Sequence, residues 1–174
     1  MCIRDRLNPN GTIPTLVEDD LPALWESGAI IRHLVNRYCE TEFWPADAVR
    51  RAQVDQWAEW AKINIALGFT SPVFWKVVRT APSKQDPVAI AAALELLHTK
   101  LAIADRQLAV NEYLAGAHLT LADVQFGHVL YRYYEIDIDR VPMPNVERYY
   151  AMLKARPDYQ RSVMIAYEEL RVTD

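Results

Sequence analysis

The chain has 174 residues, of which 51% are hydrophobic and 24% are charged, and its formal net charge is −4. This length is enough for one domain, or for one domain and part of a second, with a proper apolar core. A slightly acidic chain without a run of Lys or Arg has no general attraction for nucleic acid or an anionic membrane surface, so neither is expected as a partner.

The cysteines indicate a protein of a reducing compartment. Cys2 and Cys39 form no C-x-x-C pair, and no spacing of Cys and His suggests zinc. A disulfide framework is therefore not expected, which favours the cytoplasm. The apolar stretches look too short for a membrane span. We expect a soluble cytoplasmic chain that binds no metal and no membrane.

The first part of the chain predicts a β-hairpin followed by a helix. Residues 1–6 show no periodicity and no cap, so we expect a non-native leader, the alternative being a true native start. Residues 15–20 and 21–26 read as two short strands around a turn at Asp19-Asp20. Ser27 is expected to cap a helix that ends near Cys39.

After Phe43-Trp44-Pro45 the sequence predicts only helices. They cover residues 47–67, 87–108, 120–134 and 146–154, with another from residue 157 and a continuation at 74–78 beyond interruptions at Gly68 and Pro72. The helix 120–134 is apolar almost all round, which predicts a central position in a bundle. The first helix has a second apolar face, which predicts contact with another subunit; this face is formed by Trp60, Ile63 and Leu67.

Two segments near the N-terminus carry groups that suit a peptide-like ligand. In Asn8-Pro9-Asn10-Gly11-Thr12-Ile13-Pro14, a cis Ile13–Pro14 bond would turn the Ile13 N–H and C=O toward an extended ligand. In E-S-G-A-I, Ser27 lies where the first N–H groups of a helix attract an anion, and Glu26 beside it could take an ammonium group. The alternatives are an ordinary turn before a strand and plain helix capping.

Together, these segments resemble the glutathione transferase family. The family pattern N-P-x-G-x-[VI]-P-x-L, a short hairpin and E-S-x-A-I is matched by NPNGTIPTL and ESGAI, and Y-L-x-G-x-x-x-T-x-A-D is matched from Tyr113 to Asp123. The resemblance covers roughly residues 7–165. It implies a mainly α fold, in which a remnant of a thioredoxin-like α/β domain at residues 7–40 precedes an all-α C-terminal bundle at residues 41–174.

The resemblance also implies roles for individual residues. Ile13, with Pro14 as the cis residue, would pair through its main chain with the cysteinyl part of glutathione. Glu26 and Ser27 would hold the γ-glutamyl end. Many members of the family place Lys or Gln where this chain has Thr12, which is too short for an ion pair with the glycyl carboxylate.

Other residues are expected in the helical part. Thr120 and Asp123 should form a capping box, in which Asp123 has a structural role. The second-substrate pocket of the family is apolar, and the alternative for its candidate residues is plain core or dimer packing. These candidates are Phe69, Phe74, Trp75, Tyr131 and Tyr134.

The resemblance places the catalytic Tyr, Ser or Cys on a β-α-β unit that would precede Leu7. We therefore expect an N-terminally truncated chain with no assignable catalytic residue and with weak or undetectable conjugation. The implied function is transfer of glutathione, as substrate, to an electrophilic apolar small molecule, in detoxification. A homodimer is expected through the helices that start at Ser27 and Asp47. The alternatives are a non-catalytic binding or dimerisation module of the same fold and an incomplete gene without activity.

Overall fold

The structure is a computed structural model that describes residues 6–39 and 42–174. It divides into two units, Met1–Ala46 and Asp47–Asp174. Residues 1–5 of the expected leader at residues 1–6, and the expected boundary between residues 40 and 41, lie outside the described residues. Trp44 belongs to the first unit, because its indole Nε1 donates to Asn36 Oδ1 at 3.0 Å.

The first unit is a hairpin with one helix. Strand β1 (Thr15–Glu18) pairs antiparallel with β2 (Leu21–Trp25), and Asp19-Asp20 forms the turn between them. Helix α1 (Ser27–Tyr38) contacts both strands. Its buried positions recur with helical spacing, so one apolar face packs on the hairpin; they are Gly28, Ile30 and Val35. The predicted order of strand, strand and helix is confirmed.

The second unit begins with a long helical rod, residues 48–78. Helix α2 (Ala48–Trp60) continues through a π-helical segment (Ala61–Ala66), α3 (Leu67–Phe69), a second π-helical segment (Thr70–Phe74) and α4 (Trp75–Val78). The predicted break at Gly68 and Pro72 is wrong. Pro72 lacks an N–H and cannot make a regular helical hydrogen bond, and the second π-helical segment spans it without ending the rod.

The remaining helices begin at or close to the predicted positions, and the largest difference is a start at residue 144 where residue 146 was predicted. Helix α5 (Pro87–Leu108) is capped by Asp86, and α6 (Leu121–Glu135) by Thr120. Helices α7 (Pro144–Lys154) and α8 (Pro157–Ser162) each start at a proline, which suits the first helical position. Short 3₁₀ turns occur at Pro82–Lys84 and Glu168–Leu170.

Helix α6 lies at the centre of the bundle, as its all-round apolar sequence predicts. It contacts α2, both π-helical segments and α7. Gly127 permits a close approach to α7 and α8, because a Cβ at this position would lie 2.7 Å from Leu153 Cδ1. The buried residues of α6 are Leu121, Ala122, Asp123, Phe126, Gly127, Val129, Leu130 and Tyr133.

Helix α5 corrects the expectation that the apolar stretches are too short for a membrane span. It has 22 residues, and its mean hydropathy of 1.5 makes it long and apolar enough to cross a membrane by length and composition. The length of this apolar stretch was underestimated from the sequence, because charged residues interrupt the helix only at wide spacing. In the bundle, α5 contacts the rod and α7. Its inward stripe consists of Leu94, Leu97, Leu101, Ala104 and Leu108.

Candidate functional site

The turn before β1 is held by a buried asparagine. Asn8 is 1% exposed, and its Nδ2 donates to the Thr12 carbonyl at 2.9 Å and to Thr12 Oγ1 at 3.2 Å. Its Oδ1 accepts from the Asn10 N–H at 2.9 Å, and its carbonyl accepts from Gly11 N–H at 3.0 Å. Gly11 has φ +62°, which favours glycine. The role of Asn8 was not predicted from the sequence, although an asparagine before Pro that can hydrogen-bond to its own turn was the available signal.

Ile13 projects from this turn with its main chain unpaired. The Ile13–Pro14 peptide bond is cis, which confirms that prediction. Ile13 is 80% exposed, and its N–H and C=O make no hydrogen bond to another described residue. Exposed, unpaired main-chain groups at the end of a strand are those that an extended peptide can pair with.

Helix α1 begins differently from the prediction. The residue at its N-cap is Glu26, with φ 71° and ψ 114°, and Ser27 is the first helical residue. No side chain caps the helix through a hydrogen bond, so the prediction of Ser27 as the capping residue is wrong. The Ser27 side chain is exposed instead and makes no hydrogen bond to another described residue. The main-chain N–H groups of the first turn have no partner within the helix, a common setting for a bound carboxylate.

The register of the hairpin brings the two segments together. Thr15 on β1 is the partner of Trp25 on β2. Pro14 and Glu26 are therefore the next residues outward at the open end of the hairpin, and Ile13 and Ser27 follow them. The predicted residues, separated by twelve or more positions in the sequence, thus lie at one end of the hairpin.

A polar cluster attaches α1 to the other end of the hairpin. Glu18 accepts from the Tyr38 hydroxyl at 2.6 Å and contacts His33 Nε2 at 2.5 Å. The Tyr38 hydrogen bond, and then that of His33, lower the pKa of Glu18. Arg37 makes two hydrogen bonds to Asp20, at 2.9 and 3.0 Å, which lower the pKa of Asp20. These pairs fix the orientation of α1, which begins at the candidate site.

Asp123 is the buried acid of the second unit. It is 3% exposed and accepts from Leu114 N–H at 2.9 Å, Thr120 N–H at 2.8 Å, Thr120 Oγ1 at 3.1 Å and the Tyr149 hydroxyl at 2.9 Å. Thr120 Oγ1 in turn accepts from Ala122 N–H, so the two residues form a capping box. Burial raises the pKa of Asp123, and the four donors act in the opposite direction. Both carboxylate oxygens of Asp123 are therefore engaged in hydrogen bonds within the fold.

The five candidate residues for a second-substrate pocket differ in burial. Phe69 and Phe74 are each 1% exposed, and their rings lie 6.0 Å apart in the core. Tyr134 stacks on Tyr150 with centroids 4.7 Å apart, and Tyr131 lies 6.2 Å from Tyr167. Trp75 is 45% exposed and lines a surface depression. The burial of Phe69 and Phe74 favours the alternative of core packing for these two.

Metal ligands do not cluster in the part of the chain that the structure describes. No group of three His, Cys, Asp or Glu side chains in residues 6–39 and 42–174 could hold a metal ion.

A family model, curated proteins and solved structures each include a glutathione S-transferase that is similar to this chain. A family model described as Glutathione S-transferase, C-terminal domain matches residues 69–157. Among curated proteins, Glutathione S-transferase GstB of Escherichia coli (strain K12) is 31% identical over 160 residues, which cover 91% of this chain and 76% of GstB.

Solved structures give the same result. A theta-class glutathione S-transferase from Xanthomonas axonopodis pv. citri, with glutathione bound, superimposes with a TM-score of 0.86 at 40% identity, covering 93% of this chain and 77% of the other. A delta-class glutathione transferase from Nilaparvata lugens gives a TM-score of 0.77 at 26% identity, covering 90% and 71%.

Proposed function

The chain belongs to the glutathione S-transferase family, and we propose that it joins the glutathione thiolate to an electrophilic, apolar small molecule. The family membership supports a transferase that uses glutathione as its substrate. In the reaction, the thiolate sulfur bonds to the electrophilic carbon, the leaving group departs with its electron pair, and the thiol proton passes to water. The alternative of a non-catalytic module of the same fold has no comparable support.

We propose that Ile13, Pro14, Glu26 and Ser27 bind glutathione. The single observation that carries this assignment is the hairpin register, in which the pairing of Thr15 with Trp25 puts both segments at one end. Ile13 N–H and C=O would pair with the cysteinyl residue. The Ser27 hydroxyl and the first N–H groups of α1 would take the γ-glutamyl carboxylate, and Glu26 would take the ammonium group.

The test is a calorimetric titration with two ligands. Ser27→Ala should weaken the binding of glutathione about tenfold, because a hydrogen bond to a charged group contributes roughly 1.5–3 kcal/mol. Cysteinylglycine lacks the γ-glutamyl group, so its affinity should be the same for both proteins. Ser162→Ala, in α8, is the matched control and should change neither value. Equal glutathione affinity for the wild type and Ser27→Ala would refute the assignment.

Activity is measured separately. Conjugation of glutathione with 1-chloro-2,4-dinitrobenzene can be followed through the absorbance of the thioether product. A rate above that of the uncatalysed reaction, which saturates with glutathione, would support the proposed reaction. A chain that binds glutathione without accelerating the reaction would favour the non-catalytic alternative.

We further propose a domain division and an assembly. Residues 7–46 would form the partial thioredoxin-like domain and residues 47–174 the all-α domain, with the boundary placed after Ala46 instead of the expected residue 40. The rod exposes Ile63 by 57% and Leu67 by 62%, which supports homodimerisation through this face. Leu67→Glu should shift sedimentation from dimer to monomer, whereas Leu96→Glu, at a 69% exposed position on α5, should not. A wild-type chain that sediments as a monomer at high concentration would contradict the dimer.

We also propose that the protein acts in the cytoplasm, in the removal of electrophiles. The cysteine usage and the assigned reaction support this location and role. Fractionation of cells that express the chain, followed by immunodetection, is the direct test. Recovery in the membrane fraction would contradict it, and α5 would then be the segment to examine.

A further inference from the structure

A buried tyrosine of α6 is hydrogen-bonded to a histidine of α5. Tyr133 is 3% exposed, and its hydroxyl oxygen lies 3.1 Å from His98 Nε2. The two rings meet edge to face, with their centroids 6.3 Å apart. The proposed transfer of glutathione uses neither residue. The second unit thus contains a phenol and an imidazole in direct contact, and the proposed reaction gives them no role.

The phenol is the donor in this pair. The Tyr133 hydroxyl has no other acceptor among the described residues, so a phenolic proton directed away from His98 would be left unsatisfied in the core. Burial lowers the pKa of His98, while Asp139 acts in the opposite direction. A neutral imidazole carries its proton on one nitrogen and accepts at the other. His98 Nε2 is therefore placed to receive the proton of Tyr133.

The surroundings of His98 suit a proton acceptor. His98 lines a depression of about 490 Å³ together with Glu95 and Asp139, and neither carboxylate forms a salt bridge within the part of the chain that the structure describes. Nearby negative charge stabilises an imidazolium. Arg140 lines the same depression, but its guanidinium donates to main-chain carbonyls at the C-terminal end of α6, where a helix favours positive charge.

The ring of Tyr133 belongs to a continuous series of four tyrosine rings. Its centroid lies 5.1 Å from that of Tyr134, which stacks on Tyr150 at 4.7 Å with an interplanar angle of 11°. Tyr150 in turn lies 6.5 Å from Tyr159. Tyr134 is half-buried, whereas the other three rings are buried. Aromatic rings in contact can exchange an electron, so an electron removed from Tyr134 near the surface can be replaced from Tyr133.

Tyr133 differs from its neighbours in this series because it has a basic partner. The Tyr150 hydroxyl is buried without a hydrogen-bond partner, and the Tyr159 hydroxyl donates to the Gly127 carbonyl. Burial raises the pKa of Tyr133 to about 12, so its proton is present before oxidation. Loss of an electron turns a phenol into a strong acid, and a neutral radical forms readily only where a base accepts the proton. Within the series, that place is Tyr133.

We propose that Tyr133 and His98 are a redox pair that gives one electron to a one-electron oxidant such as an organic peroxyl radical. The electron leaves through Tyr134, and the phenolic proton of Tyr133 passes to His98 Nε2, which leaves a neutral tyrosyl radical and an imidazolium. The peroxyl radical becomes a peroxide anion, which takes a proton from water. A thiolate that is oxidised to a thiyl radical returns the electron, and His98 then returns the proton. This activity goes beyond the proposed glutathione transfer and does not depend on it.

Two other tyrosines also donate to a side chain. Tyr38 donates to Glu18, and Tyr149 donates to Asp123. A carboxylate is a weaker base than an imidazole, with an ordinary pKa of about 4 against about 6.5. Neither tyrosine belongs to the series of four rings. We therefore expect the long-lived radical at Tyr133, and Tyr38→Phe and Tyr149→Phe serve as matched controls that should keep it.

A structural role for the same contact makes a different prediction. A hydrogen bond that only satisfies the buried Tyr133 hydroxyl would contribute to stability. Replacement of His98 would then lower the stability of the bundle and leave the rate of radical formation unchanged. The two explanations are separated by a measurement of that rate.

The experiment generates the oxidant by flash photolysis of tris(2,2′-bipyridine)ruthenium(II) with persulfate, and it records the tyrosyl radical by transient absorption and electron paramagnetic resonance. The wild type should give a radical that persists longer than that of free tyrosine, and Tyr133→Phe should abolish this long-lived signal. His98→Gln offers a hydrogen-bond acceptor that is not a base. It should slow formation of the radical about a hundredfold, the lower end of the usual contribution of a positioned general base.

Chemical rescue tests proton transfer directly. In His98→Ala, added imidazole can enter the depression and should restore the rate in proportion to its concentration, whereas it should not accelerate the wild type. Thr99→Ala changes another residue of the same depression and should alter neither the rate nor the yield. Formation of the radical in the wild type should also be slower in deuterated water, because a proton moves with the electron.

The proposal is overturned by a wild type that gives no long-lived radical, by a signal that survives in Tyr133→Phe, or by a wild-type rate in His98→Gln. Circular dichroism shows whether each variant is folded. If His98→Gln unfolds, rescue of a folded His98→Ala decides, and a rate that imidazole does not restore overturns the proposal. Glutathione binding is measured separately by the titration of Ser27→Ala, so failure of either proposal leaves the other standing.

Discussion

Replacement of Asp123 by alanine tests the structural role of the buried acid. The carboxylate accepts four hydrogen bonds, from the Leu114 and Thr120 N–H groups, the Thr120 hydroxyl and the Tyr149 hydroxyl. These bonds join the start of α6 to the loop before it and to α7. Alanine would remove all four acceptor contacts and leave the donors in the core.

The expected loss of stability in Asp123→Ala follows from the hydrogen-bond donors that lose their acceptor. An unsatisfied buried donor costs about 1–3 kcal/mol, and none of the four donors donates to another acceptor within the described residues. With partial relaxation, we expect the free energy of unfolding to fall by about 4 kcal/mol, a large part of the roughly 5–15 kcal/mol typical of a domain. Tyr149→Phe removes one donor and should cost about 1 kcal/mol.

Urea unfolding followed by far-ultraviolet circular dichroism measures both changes. In the double variant Asp123→Ala/Tyr149→Phe, the cost should be smaller than the sum of the single costs, because both changes remove the same hydrogen bond. Asp123→Asn keeps one acceptor oxygen and should fall between the wild type and Asp123→Ala. A destabilisation by Asp123→Ala of less than 1 kcal/mol would refute the argument that these donors depend on the carboxylate.

Three further predictions concern other parts of the molecule. Thr12→Lys should strengthen glutathione binding about threefold in calorimetry at low salt, and should leave the affinity for glutathione amidated at its glycyl end unchanged. Gly127→Ala should destabilise the chain to urea by about 1 kcal/mol, because overpacking against Leu153, at 2.7 Å from the new Cβ, outweighs the gain in helix propensity. The pKa of Glu18 is lowered in the folded chain, so its stabilising contribution is present above the usual pKa of 4.5 and is lost as pH falls through the folded value. Thermal unfolding should therefore show the wild type more stable than Glu18→Gln at pH 7 and equal to it in strong acid.

The elements of this chain could be predicted where local chemistry determines them. Thr120 caps α6, and Pro87 and Pro157 begin α5 and α8. Each of these residues satisfies or removes helix-end N–H groups without help from distant parts of the chain. The Asp19-Asp20 turn likewise depends only on its neighbours, so the hairpin was predictable.

The errors arose where a distant contact or an irregular backbone determines the secondary structure. Gly68 and Pro72 were expected to interrupt the first long helix, but π-helical segments carry it through to Val78. Ser27 was expected to be the N-cap, but Glu26 takes that position with a positive φ. Sequence periodicity does not distinguish a break in a helix from a π-helical segment. The N-cap position depends on backbone dihedral angles, which the sequence does not show.

The residues of the candidate site could be predicted from the sequence, but their arrangement in space could not. The motifs identified Ile13, Glu26 and Ser27, but only the register of the strands shows that their segments lie at the same end of the hairpin. The role of Asn8 was missed because its hydrogen bonds to Thr12 and Asn10 require the folded turn. For the second-substrate candidates, the aromatic residue type was visible in the sequence, but burial separates the core ring of Phe69 from the exposed ring of Trp75.

Departures from regular structure occur in both units. In the first unit, Glu26 is a non-glycine residue at φ 71°, and Ile13 is an apolar side chain that is 80% exposed. In the second unit, the π-helical segment at Thr70–Phe74 precedes a tryptophan that is nearly half exposed. Such conformations cost free energy and persist only where the surroundings impose them. Asn8 holds the turn that leads to Ile13, and Pro72 lies within the π-helical segment. Pro72 lacks an N–H and accounts for the second departure without a ligand, whereas glutathione binding is the function that best accounts for the exposed Ile13 and the positive φ of Glu26.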